Sequence, residues 1–454
     1  MTIDLSTITF TNQADVVPVS GQDDIVNTGI ANTLAGNDTI TGIGSPFDLY
    51  NPNSRYGIFN TGTFNTAEGD DIITGTGGVD GISDSGTFNT GEGDDIITGT
   101  GDNGRGIDNS GTFNTGEGND IITGKGLTIG IYNSKTFNTA DGNDVITGTG
   151  DRLDGIIIAK GSTLDTGNGN DRISGNGRTG IYNNSMTFNT GDGDDTIAGT
   201  GSYYGIQNQG HINTGNGKDT IIGDASIGYS LSNSSTIDTG DGDDLITARG
   251  IYNSGTIDTG EGDDVINGSG GLSANSRTIN TGNGNDSIIV GDWFIGRDGI
   301  INTGNGNDSI IASGSLIIGT YDQSNGTINT TINTGDGMDL ITSINSILND
   351  GTINTGNDAD FIIAKGGFSG MGSVFLENGK DYLKGFGTGN FNGGNNEDTL
   401  ELTSGTYTVG ISGTTVSFTY SGVIMKTSEF EKLIAGNTTY NFTSLIDGQT
   451  IVVA

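Results

Sequence analysis

The sequence has no cysteine, one histidine, one tryptophan and three prolines in 454 residues. Without cysteine there is no disulfide, no thiol nucleophile and no thiolate metal site. Basic residues are scarce: 17 Lys+Arg stand against 55 Asp+Glu, a net charge of −38. So acidic a chain repels nucleic acid and anionic lipid and attracts cations. No apolar run is long enough to cross a bilayer, so no membrane insertion by a helix is expected. The opening residues MTIDLSTITF carry neither a basic nor an apolar signal region, so a cleaved secretory leader is not expected there. Apolar residues make up 31%, little for one large core, which favours an elongated architecture.

What the chain has in excess is glycine, 84 residues, without the three-residue period of collagen. The glycines belong to a repeat, T-G-x-G-[DN]-D-x-I, found in thirteen copies. Their last aspartates are Asp71, Asp95, Asp120, Asp144, Asp171, Asp195, Asp219, Asp244, Asp264, Asp286, Asp308, Asp339 and Asp360. The spacing varies around a common period. A fixed period with insertions and deletions is the signature of a solenoid.

The unit is clearest in GIDNSGTFNTGEGNDIITGK, residues 106–125. Its apolar residues alternate with polar ones over three short stretches, as in Ile58, Phe64 and Ile73 of the first full copy. The third of these is isoleucine in every copy, from Ile73 to Ile362. Stacked coils would align it as an internal ladder, which suits a stiff β-branched side chain. The expected fold is therefore all-β: a right-handed parallel β-solenoid, β-helix or β-roll in kind, with three-strand coils of about 24 residues. Coils spaced ~4.8 Å apart would span roughly 60 Å over thirteen copies. Asparagine or aspartate closes the first strand at Asn60, Asp84, Asn109, Asn133, Asn183, Asn208, Asn233 and Asn253, either as a side-chain ladder or as turn residues.

Three regions are expected. Residues 1–55 hold two degenerate copies, SGQDDIV (20–26) and TLAGNDTITG (33–42), and read as an N-terminal cap. Residues 56–398 are the solenoid, decaying through traces at Asp381 and Asp398. Residues 399–454 alternate as TYTVGIS and TVSFTYS and read as a C-terminal β cap.

The octad, as in TGEGDDIIT (90–98) and TGDGDDTIA (190–198), resembles the RTX, or hemolysin-type, nonapeptide G-G-x-G-x-D-x-U-x over roughly residues 20–400. The resemblance implies calcium held between stacked turns by carbonyl oxygens and the sixth-position aspartate. On this chain the ligands would be the thirteen aspartates above and the turn glycines Gly93, Gly118, Gly169, Gly193, Gly242, Gly262, Gly284 and Gly306. Ca²⁺ takes six to eight oxygens in flexible geometry, which two neighbouring turns can supply. Metal-free turn capping by the same aspartates is the alternative. The C-terminus resembles the uncleaved signal of type I export, so the resemblance implies an extracellular, secreted or cell-surface protein.

Three departures stand out. Position one is threonine in all copies. Each coil holds a single motif, where the family's shorter roll carries two. Ala67, Ala140 and Asp358 replace turn glycines, while Lys218 and Met338 crowd their turns. No catalytic arrangement emerges. His211 fills a slot that is threonine in most copies, and the paired carboxylates belong to the repeat, so no enzyme is expected. The expected function is a calcium-binding repeat protein with a structural, adhesive or surface-layer role. Two other functions stay open: ice binding by the Thr/Asn columns of the second strand (Thr87 and Asn89, Thr112 and Asn114), and a carbohydrate-active β-helix with Trp293 and Phe294 as a platform. The residues before the inward isoleucines, Ile72, Ile96 and Ile121, form an outward apolar stripe suited to self-association or a surface polysaccharide.

Overall fold

A computed structural model describes residues 2–18, 23–45, 55–274, 277–319 and 328–454. The chain is a parallel β-solenoid and divides into two compact units, Met1–Asp241 with Ile246–Arg249, and Gly242–Leu245 with Gly250–Ala454. In the first unit a coil has strands such as Ile58–Asn60, Thr63–Asn65 and Ile72–Gly77. Each pairs in register with its copy in the next coil: Ile58 with Ile82, Phe64 with Phe88, Ile73 with Ile97. Helix never competes, because glycine and β-branched residues disfavour it while the glycine turns reverse the chain every few residues.

The inward columns form the core. Ile73, Ile97, Ile122 and Ile173 are each 0% exposed, as are Phe64, Phe88, Phe113 and Phe137. Phe88, Phe113 and Phe137 stack with ring centroids 4.6 Å apart. Each such side chain contributes ~1.5–3 kcal/mol of burial. Coil stacking supplies that burial, since a single coil has no interior of its own.

The third strand is longer than the repeat alone suggests. In the first unit it commonly runs six residues, as in Ile96–Gly101, and at Arg172–Asn183 and Thr196–Asn208 it continues unbroken into the next coil's first strand. A Cβ at Gly99 would lie 2.3 Å from Gly106 O, so that corner holds no side chain. In the second unit the strand is shorter and ends in Gly268, Val290, Ala312, Ser343 or Ala364. A tighter repeat accompanies it: the bonded pairs Asp264–Asp286 and Asp286–Asp308 each lie 22 residues apart.

Parallel pairing begins inside the first 55 residues. Thr2–Asp4 pairs with Asp24–Val26, and Thr39–Ile43 pairs with the Ile72 strand. Of the segment 20–26, residues 20–22 lie outside the described residues. At the other end, Gly405–Ser412, Thr415–Tyr420 and Val423–Ser428 form an antiparallel meander, with Thr450–Val453 beside the first. Ser421 (φ 51°) and Gly422 (φ 81°) make the two-residue turn that such a hairpin favours. The meander joins the last coils where Gly389–Asn392 pairs in parallel with Met425–Ser428, and so covers what would be an open edge.

Candidate metal-binding column

Each repeat aspartate is positioned by the glycine turn before it and the isoleucine strand after it. The turn requires left-handed backbone: Gly91 has φ 105° and Gly93 φ 139°. It also requires close approach, because a Cβ on Gly93 would lie 2.2 Å from Gly69 O. The glycines named from the motif all make the same bond. Gly93, Gly118, Gly169, Gly193, Gly242, Gly262, Gly284 and Gly306 donate their N–H to the carbonyl of the next coil's third turn residue at 2.7–3.0 Å.

The aspartates themselves are buried, 0–1% exposed from Asp71 to Asp360. Within each unit, Oδ1 of one aspartate accepts the backbone N–H of the aspartate one coil earlier. Asp71 N donates to Asp95, Asp95 to Asp120, Asp120 to Asp144, Asp144 to Asp171, and on through Asp195 to Asp219, at 2.7–2.9 Å. In the second unit the same chain runs Asp244, Asp264, Asp286, Asp308, Asp339 and Asp360 at 2.8–2.9 Å. The cap is thus between coils, not within the aspartate's own turn. Degenerate copies noted in the sequence, left out of the expected ligand set, belong to the column too. Asp38 caps Asp15 and feeds Asp71, while Asp381 and Asp398 extend it to Glu431, whose Oε2 accepts Asp398 N–H at 2.8 Å. The signal was the bare N-D-x-I and D-x-L traces at these positions.

The second carboxylate oxygen has a different fate. Oδ2 of Asp38, Asp71, Asp95, Asp120, Asp144, Asp171, Asp195, Asp264, Asp286, Asp308, Asp339, Asp360, Asp381 and Asp398 is buried with no hydrogen-bond partner. Burial raises the pKa of these carboxyls accordingly. Desolvation pushes Asp95, Asp171 and Asp360 up to about 8, and Asp144, Asp195, Asp264, Asp286 and Asp339 up to about 7, with neighbouring aspartates adding to the shift. The threonine five residues earlier pulls the other way. Its hydroxyl has a single proton, and that proton is aimed along the solenoid: Thr66 Oγ1 donates to Thr90 O, and Thr90 Oγ1 to Thr115 O, both at 3.0 Å.

That threonine ladder explains the departure at position one. The threonines are absent from the residues with positive φ, so no strain attends them. The damaged copies keep the turn. Ala67 (φ 70°), Ala140 (φ 61°) and Asp358 (φ 80°) hold the left-handed backbone of the glycines they replace. Lys218 and Met338 do not crowd their turns; both are exposed, and their N–H groups are capped by Asp194 and Asn307 of the preceding coil.

A hard divalent cation fits this donor set. The Oδ2 atoms named above are buried carboxylate oxygens that lack a donor. Ion pairs among the described residues, such as Arg105–Asp108, Arg178–Asp154, Lys384–Glu401 and Lys432–Glu397, involve other carboxylates than the column aspartates. No group of three or more acidic or histidine side chains converges among the described residues, so backbone oxygens would complete a shell.

Other expected features are placed as follows. The first-strand column is a true buried ladder: Asn27 Nδ2 donates to Asn60 Oδ1, Asn109 to Asn133, Asn183 to Asn208 and Asn208 to Asn233 at 2.8–2.9 Å. A second ladder of opposite sense runs on the outer face of strand two, Asn114 donating to Asn89 and Asn138 to Asn114 at 2.6–2.8 Å. His211 points outward on that face, opposite Thr236. Ile72, Ile96 and Ile121 are 40–43% exposed, so the apolar stripe is there. Trp293 is not a platform: it is 0% exposed and fills an inward slot of the first strand, opposite Leu272 and Leu316. Of the irregular segment 315–330, residues 320–327 lie outside the described residues.

No protein-family profile matches the chain. No curated protein sequence matches it either. Among solved structures it is similar to a hyperactive, Ca²⁺-dependent, β-helical antifreeze protein from an Antarctic bacterium, at 18% identity over 83% of this chain and 84% of that one, with a TM-score of 0.32.

Proposed function

We propose that the chain is a calcium-binding solenoid whose folding is coupled to metal, with a structural or adhesive role outside the cell and no catalysis. The observation that carries this reading is the repeated Oδ2 atom, buried and without a donor in coil after coil. Burying an ionised carboxylate oxygen with no partner is strongly unfavourable. A cation between successive aspartates removes that cost at every coil at once. The carbonyl oxygens of the turn glycines, two residues before each aspartate, would supply further ligands. Calcium, when bound, supplies positive charge and hard Lewis acidity; the chain supplies the register that stacks its oxygens.

Metal binding then becomes folding free energy. In a compartment poor in free calcium, like-charge repulsion and glycine entropy favour an open chain suited to export by a type I route. At millimolar calcium outside, the coils close. Titrating calcium into the metal-stripped chain, followed by circular dichroism with magnesium as control, tests this. A steep coil-to-β transition specific for calcium is expected. A chain already fully β-structured in chelator, with a melting temperature indifferent to calcium, refutes it.

A second reading rests on the outer face of strand two. Thr63, Thr87, Thr112 and Thr136 stand in register beside Asn65, Asn89, Asn114 and Asn138, whose amides are fixed by the outer ladder. An uncharged, ordered array of hydroxyls and amides suits an ordered water lattice, and ice is the ligand of that chemistry. Thermal hysteresis lost in Thr112→Lys, with the fold intact, would support it. Absence of hysteresis in the calcium-loaded chain removes it.

A further inference from the structure

The buried asparagine ladder of the first strand is interrupted by apolar residues such as Ile158, and among the described residues it has one ionisable rung, Asp84. In its regular rungs each amide nitrogen reaches two acceptors of the next coil. Asn60 Nδ2 donates to Asp84 Oδ1 at 2.6 Å and to Thr87 O at 2.9 Å; Asn109 Nδ2 donates to Asn133 Oδ1 at 2.9 Å and to Thr136 O at 2.7 Å. Each Oδ1 also accepts the N–H two residues on: Gly62 to Asn60, Gly86 to Asp84, Gly111 to Asn109 at 3.0–3.3 Å. That last bond fixes the ladder's polarity, because a flipped amide would set two donors face to face.

Asp84 occupies a rung in register with Asn60 and Asn109. It is 0% exposed, and its Oδ1 makes both regular bonds. Its Oδ2 stands where every neighbour has an amide nitrogen, and it has no partner. The two acceptors that a nitrogen there would serve, by the pattern of the other rungs, are Asn109 Oδ1 and Thr112 O. An ionised Asp84 therefore faces oxygen with oxygen inside the core.

We propose that Asp84 is a proton-operated rung: with a proton on Oδ2 it donates to the Asn109 coil and completes the ladder, and without it the seam between these two coils loosens. A protonated carboxyl has the shape of the amide it replaces, with one donor in place of two. Its surroundings agree. Desolvation raises the Asp84 carboxyl to about 6 against the bonds from Asn60 and Gly86, and the Asp108 carboxylate adds to the rise. Asp108 lies beside Asn109 and is paired with Arg105 at 2.6 Å. The other strands packed against Asp84, namely Ile58–Asn60, Thr63–Asn65, Thr87–Asn89 and Thr112–Asn114, carry no titratable side chain. None of this depends on the calcium reading, and Asp84 lies outside that column.

The test compares the full chain with its Asp84→Asn variant, in calcium and in chelator, by melting temperature against pH. The folded acid titrates above the unfolded value of 3.8, so its contribution is complete below that value and is lost as pH rises through about 6. The two proteins should melt together near pH 4. The variant should pull ahead by a few degrees between about pH 4 and 6 and hold that lead above. The gap should be the same with or without calcium. A gap that ignores pH, or a variant less stable throughout, overturns the proposal. A difference infrared spectrum, wild type minus variant, gives an independent reading: a protonated-carboxyl band below pH 6 that vanishes on alkalinisation is expected, and its absence overturns the proposal.

Discussion

Asp120 Oδ1 accepts the backbone N–H of Asp95 at 2.9 Å, while Asp120 passes its own N–H to Asp144 at 2.8 Å. One side chain thus secures the turn of the coil before it and leaves its second oxygen buried without a donor. Asp120 is a cap and an unmet electrostatic demand together, and the first predictions separate the two roles.

The metal-free chain should be stabilised by acid. In the fold Asp95 and Asp171 are raised to about 8, and Asp144 and Asp286 to about 7, by desolvation first, from an unfolded value of 3.8. A raised folded value means that the native chain binds more protons, so stability is full below pH 3.8 and falls as pH climbs to about 8. Calcium reverses the sign, because its ligands must be ionised. Melting temperature against pH, in chelator and in calcium, should give opposite slopes.

Asp171→Asn should change sign with the metal. The amide keeps an Oδ1 acceptor for Asp144 N–H, at 2.7 Å in the native column, and it carries no charge to desolvate. In chelator near neutral pH the variant should be the more stable by roughly 1 kcal/mol or more. In calcium it should be the less stable and bind with a shallower transition. Denaturant titration under both conditions checks it.

Glycine and alanine exchanges in the turns should be asymmetric. Gly93→Ala sets a Cβ 2.2 Å from Gly69 O at φ 139°, and a loss well beyond ~1 kcal/mol is expected. Ala67→Gly relieves a left-handed alanine at φ 70° and should gain about 1 kcal/mol. Equilibrium unfolding of both variants, compared at one calcium concentration, measures the pair.

The threonine ladder should show in Thr90→Val. The substitution keeps the shape and removes the donor to Thr115 O at 3.0 Å. A cost of ~0.5–1.5 kcal/mol is expected. The same change at Thr112, which is exposed on the outer face, should cost less.

Much of this was legible in the residues. Ile73 and Phe64, flanked by polar neighbours at fixed period, specify inward columns without reference to anything distant. The glycine turns and the Asn60–Asn109 type of column were equally local. What could not be read depends on stacking. Asp95 stands in a polar turn, and only the next coil buries it. Thr90 looks like an ordinary strand residue until its hydroxyl meets Thr115. Asp381 and Asp398 read as decayed traces, and only the bonds Asp360–Asp381 and Asp381–Asp398 make them full column members; the buried slot of Trp293 follows from its register with Leu272 and Leu316, which composition does not reveal.

The direct bond from each aspartate to the coil before it has an evolutionary corollary. Within each unit an interior coil receives one carboxylate and presents one in return, so duplicating or deleting a whole coil there would leave this hydrogen-bond pattern intact. Among the described residues Asp15 opens the series and Glu431, a longer acid, closes it. Coil number within a unit is therefore not fixed by the aspartate bonds themselves.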